Sequence, residues 1–176
     1  MKEVSSVKEL EEYILNQTKL AISEDDGLGD YVVDTIKSKI NEIVYSSYSP
    51  KVYERTFELR DSIKCLNVTQ KANEVKAEFN HNLDLIHSYY PNKHHSVSPY
   101  STGDVSKFIP QIIINNQSGF FMGYGVDKRF HNIGGGRWRA PKPYFKETSE
   151  DLDISSNHIN KMFEILRNNG NQVEII

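Results

Sequence analysis

The chain has very little cysteine: Cys65 stands alone among 176 residues. One cysteine makes no intrachain disulfide and no cysteine-based zinc site, and this usage suits a reducing cytosol. Cys65 is read as a small buried hydrophobe rather than a nucleophile. Long apolar runs are missing too. No stretch reaches the roughly 18 apolar residues of a membrane span, and the opening MKEVSSVKELEEYI lacks the apolar centre of a signal peptide, so no membrane association and no secretory targeting are expected. Nor is there a global excess of positive charge. Lys and Arg number 21 against 24 Asp and Glu, a net of -3, which is not the footprint of a general nucleic-acid binder. The sequence contains no internal repeat and no low-complexity tract.

What is present fits one domain, residues 1–176, with a helical region over 1–48 and a mixed core over 49–176. Val7, Leu10, Ile14, Thr18 and Ala21 recur at helical spacing, and Ser5 or Ser6 with Glu9 form a start signal, so residues 6–23 are predicted helical. Asp25 to Gly29 break that helix. Asp30 is expected to cap a second one with Val33, Ile36, Ile40, Ile43 and Ser47 on its apolar stripe, paired antiparallel with the first. Ser49-Pro50, among Tyr45, Tyr48 and Tyr53, stops it near Tyr48, because the residue before proline is pushed out of helical geometry.

Beyond this elbow the period changes to two. Strands are predicted near 62–68 and 73–81, separated by Thr69-Gln70-Lys71, with Val75, Ala77 and Phe79 on one face of the second. Leu83, Leu85 and Ile86 read as a third extended segment, and 105–116 as a helix with Pro110 in its first turn. Phe145, Leu152, Ile159 and Leu166 repeat every seven residues, with Thr148, Met162 and Phe163 on the same side. They predict one helix over 143–168, weakest at Ser155–Asn157 and ending at Asn168-Asn169-Gly170, and the tail QVEII can add an edge strand. The fold class is α+β: N-terminal helices, an antiparallel sheet of three or four strands, and a long C-terminal helix packed on it.

Candidate chemistry is sparse. His87, His94 and His95 lie in the loop 87–104, but adjacent histidines rarely face one site and no i, i+4 ligand pair supports them. Gly134-Gly135-Gly136-Arg137-Trp138-Arg139 has backbone and guanidinium donors for a phosphate, yet no Walker lysine and no strand-turn-helix context. No carboxylate pair and no nucleophile-elbow serine stands out. We therefore expect no catalytic residues, no cofactor and no metal. The competing reading is a nucleic-acid-processing or nucleotide-binding enzyme that uses these two loops.

The second long loop, 118–142, is glycine-rich. Phe120, Phe121, Met122, Tyr124, Phe130 and Trp138 alternate there with Arg129, Arg137 and Arg139. These are the residue types enriched in protein interfaces. Aromatics between arginines also suit single-stranded nucleic acid, an option that the acidic balance elsewhere weakens. Residues 1–60 hold 8 basic and 12 acidic residues, a balance of -4, whereas 118–147 hold 6 and 2, a balance of +4. Such asymmetry fits contact with an acidic surface, a neighbouring copy included, or a solvated loop.

Two stretches carry a family resemblance. The first is VYSSYSPKVYERTFELRDSI, starting at Val44. The second is Trp138-Arg139-Ala140-Pro141-Lys142-Pro143-Tyr144-Phe145 before Glu147 and the last helix. In order and spacing they resemble the tail-completion, head–tail joining or neck proteins of tailed bacteriophages, and together they bracket residues 44–166. The chain departs from that pattern at Phe57, where the family often has glycine, and at Lys142, usually arginine. The resemblance implies a structural virion protein, assembled in the host cytoplasm, with no enzymatic activity. It would form a ring of identical subunits, six in number, between tail and capsid connector. Its partners would be the tail tube or tail terminator protein, the head connector or adaptor, and genomic DNA passing through the lumen without sequence-specific binding. Contacts would fall on Arg55, Phe120, Phe121, Tyr124, Arg129, Arg137, Trp138 and Arg139.

Overall fold

The computed structural model describes residues 6–46, 56–86, 110, 113–114 and 142–173. Its fold is α+β, with helices and a two-stranded antiparallel sheet. The contacts divide the chain into two compact units. The first holds residues 1–37, 63–80 and 148–176, the second 38–62 and 81–147.

In the first unit, helix α1 spans Val7–Ser23, and Ser6 caps it as expected, its hydroxyl accepting the Glu9 N–H at 3.2 Å. Helix α2, Leu28–Ile40, starts earlier than the sequence suggests. Asp30 lies within its first turn and reaches back to accept the Asp26 N–H at 3.0 Å. Glycine permits that early start. A Cβ on Gly27 would come within 2.6 Å of the Glu24 carbonyl oxygen, and one on Gly29 within 2.5 Å of that of Ile22.

Strands β1, Ile63–Lys71, and β2, Glu74–His81, form the hairpin. The turn falls at Ala72-Asn73 rather than at Thr69–Lys71, and Ala72 takes φ 48° there. The Asn67 amide donates across the strands to Glu78 at 3.1 Å, in the register that the Ala72-Asn73 turn sets. Inward positions on β2 alternate through Val75, Ala77 and Phe79, whereas on β1 they slip by one between Cys65 and Val68. One extra residue near Leu66-Asn67 accounts for nine residues facing eight. This is the sheet's full extent among the described residues. Leu83–Leu85 form a 3-10 turn, not a third strand, and Gln172 and Val173 are not extended into an edge strand.

The predicted C-terminal helix is two helices, α4 (Tyr144–Ser155) and α5 (Asn157–Asn168), split at Ser156 with φ 53°. The break shifts the helical phase. Ile165 is buried, whereas Ile159, a core residue by the heptad, is 43% exposed. The end is where the sequence places it, with Gly170 at φ 83° and the Asn171 N–H donating to the Leu166 carbonyl at 3.0 Å. Helix α5 packs on α1, and α1 packs on β1. So α1 receives α5, while the start of α4 meets the end of β2 at His81, and the main contacts of α1 are with α5 and β1 rather than along α2. Ala21 and Ile22 are both buried and lie about 100° apart around the helix, the width two partners require. Polar links close this layer: Tyr13 Oη donates to Asn171 Oδ1 at 2.8 Å, and Asn169 Nδ2 to the Glu24 carboxylate at 3.2 Å.

The second unit takes up the end of α2, which widens into a π-helical turn at Asn41–Tyr45, with the Ser46 N–H donating to Asn41 O at 2.9 Å. A π turn holds more residues than an α turn. That moves the buried position from the expected Ile43 to Val44. Among the described residues Ile40, Val44, Leu59, Ile86 and Tyr144 are buried there, Pro110 is buried and helical, and Ile113 and Ile114 are helical.

Candidate functional site

The most ordered chemistry in the second unit grows from the short helix α3, Glu58–Asp61, and the residue before it. Phe57 sits at φ 58°, the left-handed region where a side chain is costly and glycine is not. This is the position at which the sequence departs from a glycine pattern. The ring is held on both sides, by Tyr45 edge-on at 5.0 Å and by the Arg60 guanidinium over its face at 4.7 Å. Arg60 in turn grips Asp61 through two N–H···O contacts of 2.6 and 3.0 Å.

Helix α3 delivers Ser62, which is fully buried, as is Tyr144; His81 is 4% exposed. The Ser62 hydroxyl donates to the Leu59 carbonyl at 2.8 Å. Its oxygen lies 2.6 Å from His81 Nδ1, and His81 Nε2 lies 2.6 Å from Tyr144 Oη. One proton assignment satisfies these three contacts together. Tyr144 O–H donates to Nε2, Nδ1–H donates to Ser62 Oγ, and Ser62 O–H donates to the backbone. The three bonds point one way, and each polarises the next. Edge-on contacts of the His81 ring with Tyr144 and Phe145, both at 5.7 Å, complete the packing.

Burial keeps this chain of groups neutral. It lowers the His81 pKa from 6.5 to about 4 and pushes the Tyr144 hydroxyl up from its ordinary value of 10.0, Tyr45 adding to the second effect. In this arrangement Ser62 is not primed as a nucleophile. With the protons so assigned, its hydroxyl proton goes to the Leu59 carbonyl and the imidazole donates to it instead of accepting from it. What the geometry does is join three segments that are distant in sequence: α3, the end of β2 and the start of α4. The Asn82 N–H donating to the Ser62 carbonyl at 2.7 Å, and the Lys142 N–H donating to the Ile113 carbonyl at 2.9 Å, strengthen the same junction. In the sequence, segment 87–141 lies between His81 and Tyr144, which are joined here.

The residues singled out for contacts (Arg55, Phe120, Phe121, Tyr124, Arg129, Arg137, Trp138 and Arg139) all lie outside the described residues. So do His87, His94, His95 and the Gly134–Arg139 loop of the enzymatic alternative. Among the described residues no group of three or more His, Cys, Asp or Glu is placed to hold a metal, and no helix is long and apolar enough to cross a membrane. Sequence reasoning did not single out Ser62 or His81. A signal was available: the inward alternation Val75, Ala77, Phe79 continues to position 81, which puts an imidazole where an apolar side chain belongs.

The fold and this junction define a small α+β protein whose polar centre is a structural fastening. A family model named YomN matches residues 6–168, and the chain belongs to the YomN family. The family name is phage-derived, from a Bacillus prophage, and points to a phage origin. No curated protein and no solved structure matches the chain.

Proposed function

We propose that the chain is a structural virion protein of a tailed bacteriophage, forming a homo-oligomeric ring at the neck that joins the tail to the capsid connector and lets DNA pass. The phage-derived family supports the setting, and the resemblance over residues 44–166 supports the place in the particle. The observation that carries the reading is the Ser62–His81–Tyr144 fastening. It commits the second unit's buried polar groups to holding His81 and Tyr144 together, and segment 87–141, whose sequence is richest in interface residue types, lies between these two in the chain. An assembly protein needs a firm base under its contact loops. In this reading the partners are further copies, a tail tube or terminator protein and a head connector. The contact residues are Arg55, Phe120, Phe121, Tyr124, Arg129, Arg137, Trp138 and Arg139, and the protein is not an enzyme.

The test is complementation of a phage lacking this gene. Trp138→Ala, or Arg137→Glu with Arg139→Glu, is expected to leave the circular dichroism of the purified chain unchanged while producing filled heads and separate tails. Joined, infectious particles from both variants would remove segment 118–142 as the joining surface.

A further inference from the structure

The apolar stripe of α1 changes character along its length. Val7, Leu10, Ile14 and Ala21 fall within one face at helical spacing. Ala21 is fully buried, whereas Val7, Leu10 and Ile14 are 74%, 46% and 52% exposed. The face that enters the core at its C-terminal end therefore continues uncovered through the first two turns. Those turns are well-formed helix. Ser6 caps them, and the Leu10 N–H donates to the Ser6 carbonyl at 3.1 Å. Singly exposed apolar residues are ordinary, but a contiguous helical stripe is a binding face.

We propose that this first half of α1 is a docking surface for a second copy of the chain, and that its occupant there is the aromatic and arginine segment 118–142 of that copy. The inference rests on the ring reading and adds to it the two surfaces that meet. Charge selects the occupant. Residues 7–14 hold three acids, Glu9, Glu11 and Glu12, against one base, Lys8, and all four are exposed. Residues 118–147 carry 6 basic residues against 2 acidic ones. The segment also supplies the matching apolar groups, Phe120, Phe121 and Trp138 among them, with an arginine to meet Glu11, the glutamate that flanks the stripe. Because both surfaces belong to one sequence, the contact is heterologous: each copy offers α1 to one neighbour and the segment to the other. Such a contact closes into a ring when its rotation allows.

The experiment uses two full-length chains in a Cys65→Ser background, one carrying Leu10→Cys and the other Asn132→Cys. They are mixed and treated with a short thiol-reactive cross-linker, and self-association is followed by sedimentation. Cross-linked heterodimers are expected. They should be lost when Ile14→Asp is added to the first chain, with the melting curve of that variant unchanged because Ile14 is exposed. If a chain carrying both cysteines cross-links only within itself, its own segment covers the stripe and the proposal is wrong. Self-association without the heterodimer, and indifferent to Ile14→Asp, overturns the docking surface but leaves the ring. No self-association at any concentration removes the ring reading, and this inference with it.

Discussion

The two units are held together by different physics. In the first, aliphatic side chains carry the core: Ala21, Ile22, Val33, Ile36, Ile63 and Ile165 are buried, and the polar links between α1 and the end of α5 run along its partly wet edge. In the second, Ile40, Val44, Leu59 and Ile86 share the interior with a serine, a histidine and a tyrosine that satisfy one another. Aliphatic burial is forgiving, because any apolar side chain of similar size replaces another at modest cost. A closed polar chain is not, because removing one member strands its neighbours without water to replace it. The second unit is therefore the more specific and the more fragile, and segment 87–141 belongs to its stretch of sequence.

The largest expected effect tests that fragility directly. Tyr144→Ala deletes a fully buried ring and the hydroxyl partner of His81. It is expected to cost about 3–5 kcal/mol, the range for aromatic truncation in cores. Ile159→Ala, at a position that the heptad would place in the core but that is 43% exposed, is expected to cost well under half as much. Chemical denaturation of the two variants checks the contrast. Equal losses would mean that the break at Ser156 does not turn Ile159 out of the core.

Acid separates the units next. The His81 pKa falls from 6.5 to about 4 on folding because burial disfavours the imidazolium. Between these two values the unfolded chain binds the extra proton and the native chain does not, so stability rises with pH there. The contribution is complete above pH 6.5, declines as pH falls through that window and is gone below about pH 4. At 1.36 kcal/mol per pKa unit the total is about 3 kcal/mol. His81→Asn removes the titration. The difference in unfolding free energy between the parent and this variant should therefore shrink by that amount from pH 7 to pH 4, measured by urea titration. A difference that stays constant with pH would show that His81 is not buried neutral.

The sequence was legible where burial follows a period. Helix α1, its Ser6 cap, the alternation on β2 and the end of α5 all follow from residues a few positions apart, and the α+β class follows from them. Legibility failed where a single backbone irregularity resets the period. The π turn at Asn41–Tyr45 exchanges Ile43 for Val44, the extra residue near Leu66 shifts the inward face of β1, and Ser156, within the weak point that the sequence marks at Ser155–Asn157, divides a helix that the heptad continues. None of these has a strong local signature, since Ser156 and Ala72 adopt positive φ without being glycine. The junction was harder still. Ser62, His81 and Tyr144 lie 19 and 63 residues apart along the chain, and no spacing rule joins them. Only the histidine at an inward strand position marks that a polar partner must exist.

The smallest expected effect sets one strained residue of each unit against the other. Ala72 in the first unit and Phe57 in the second both hold left-handed backbone, at φ 48° and 58°. For a residue with a Cβ that conformation costs about 1–2 kcal/mol, and glycine removes most of the cost while adding freedom to the unfolded chain. Ala72 is exposed at the hairpin turn, so Ala72→Gly gives up little packing there and is expected to stabilise by about 0.5 kcal/mol. Phe57→Gly relieves the same strain but deletes the ring between Tyr45 and Arg60. An aromatic pair and a partly exposed cation–π contact are each worth about 0.5–1 kcal/mol, so the gain is cancelled and the net change is expected to be zero or slightly destabilising. Thermal melts of the two variants at one pH decide the matter. If Phe57→Gly stabilised as much as Ala72→Gly, the phenylalanine would be a strained substitute at a glycine site. If it destabilised while Ala72→Gly stabilised, Phe57 would be part of the packing that positions α3, and through it Ser62.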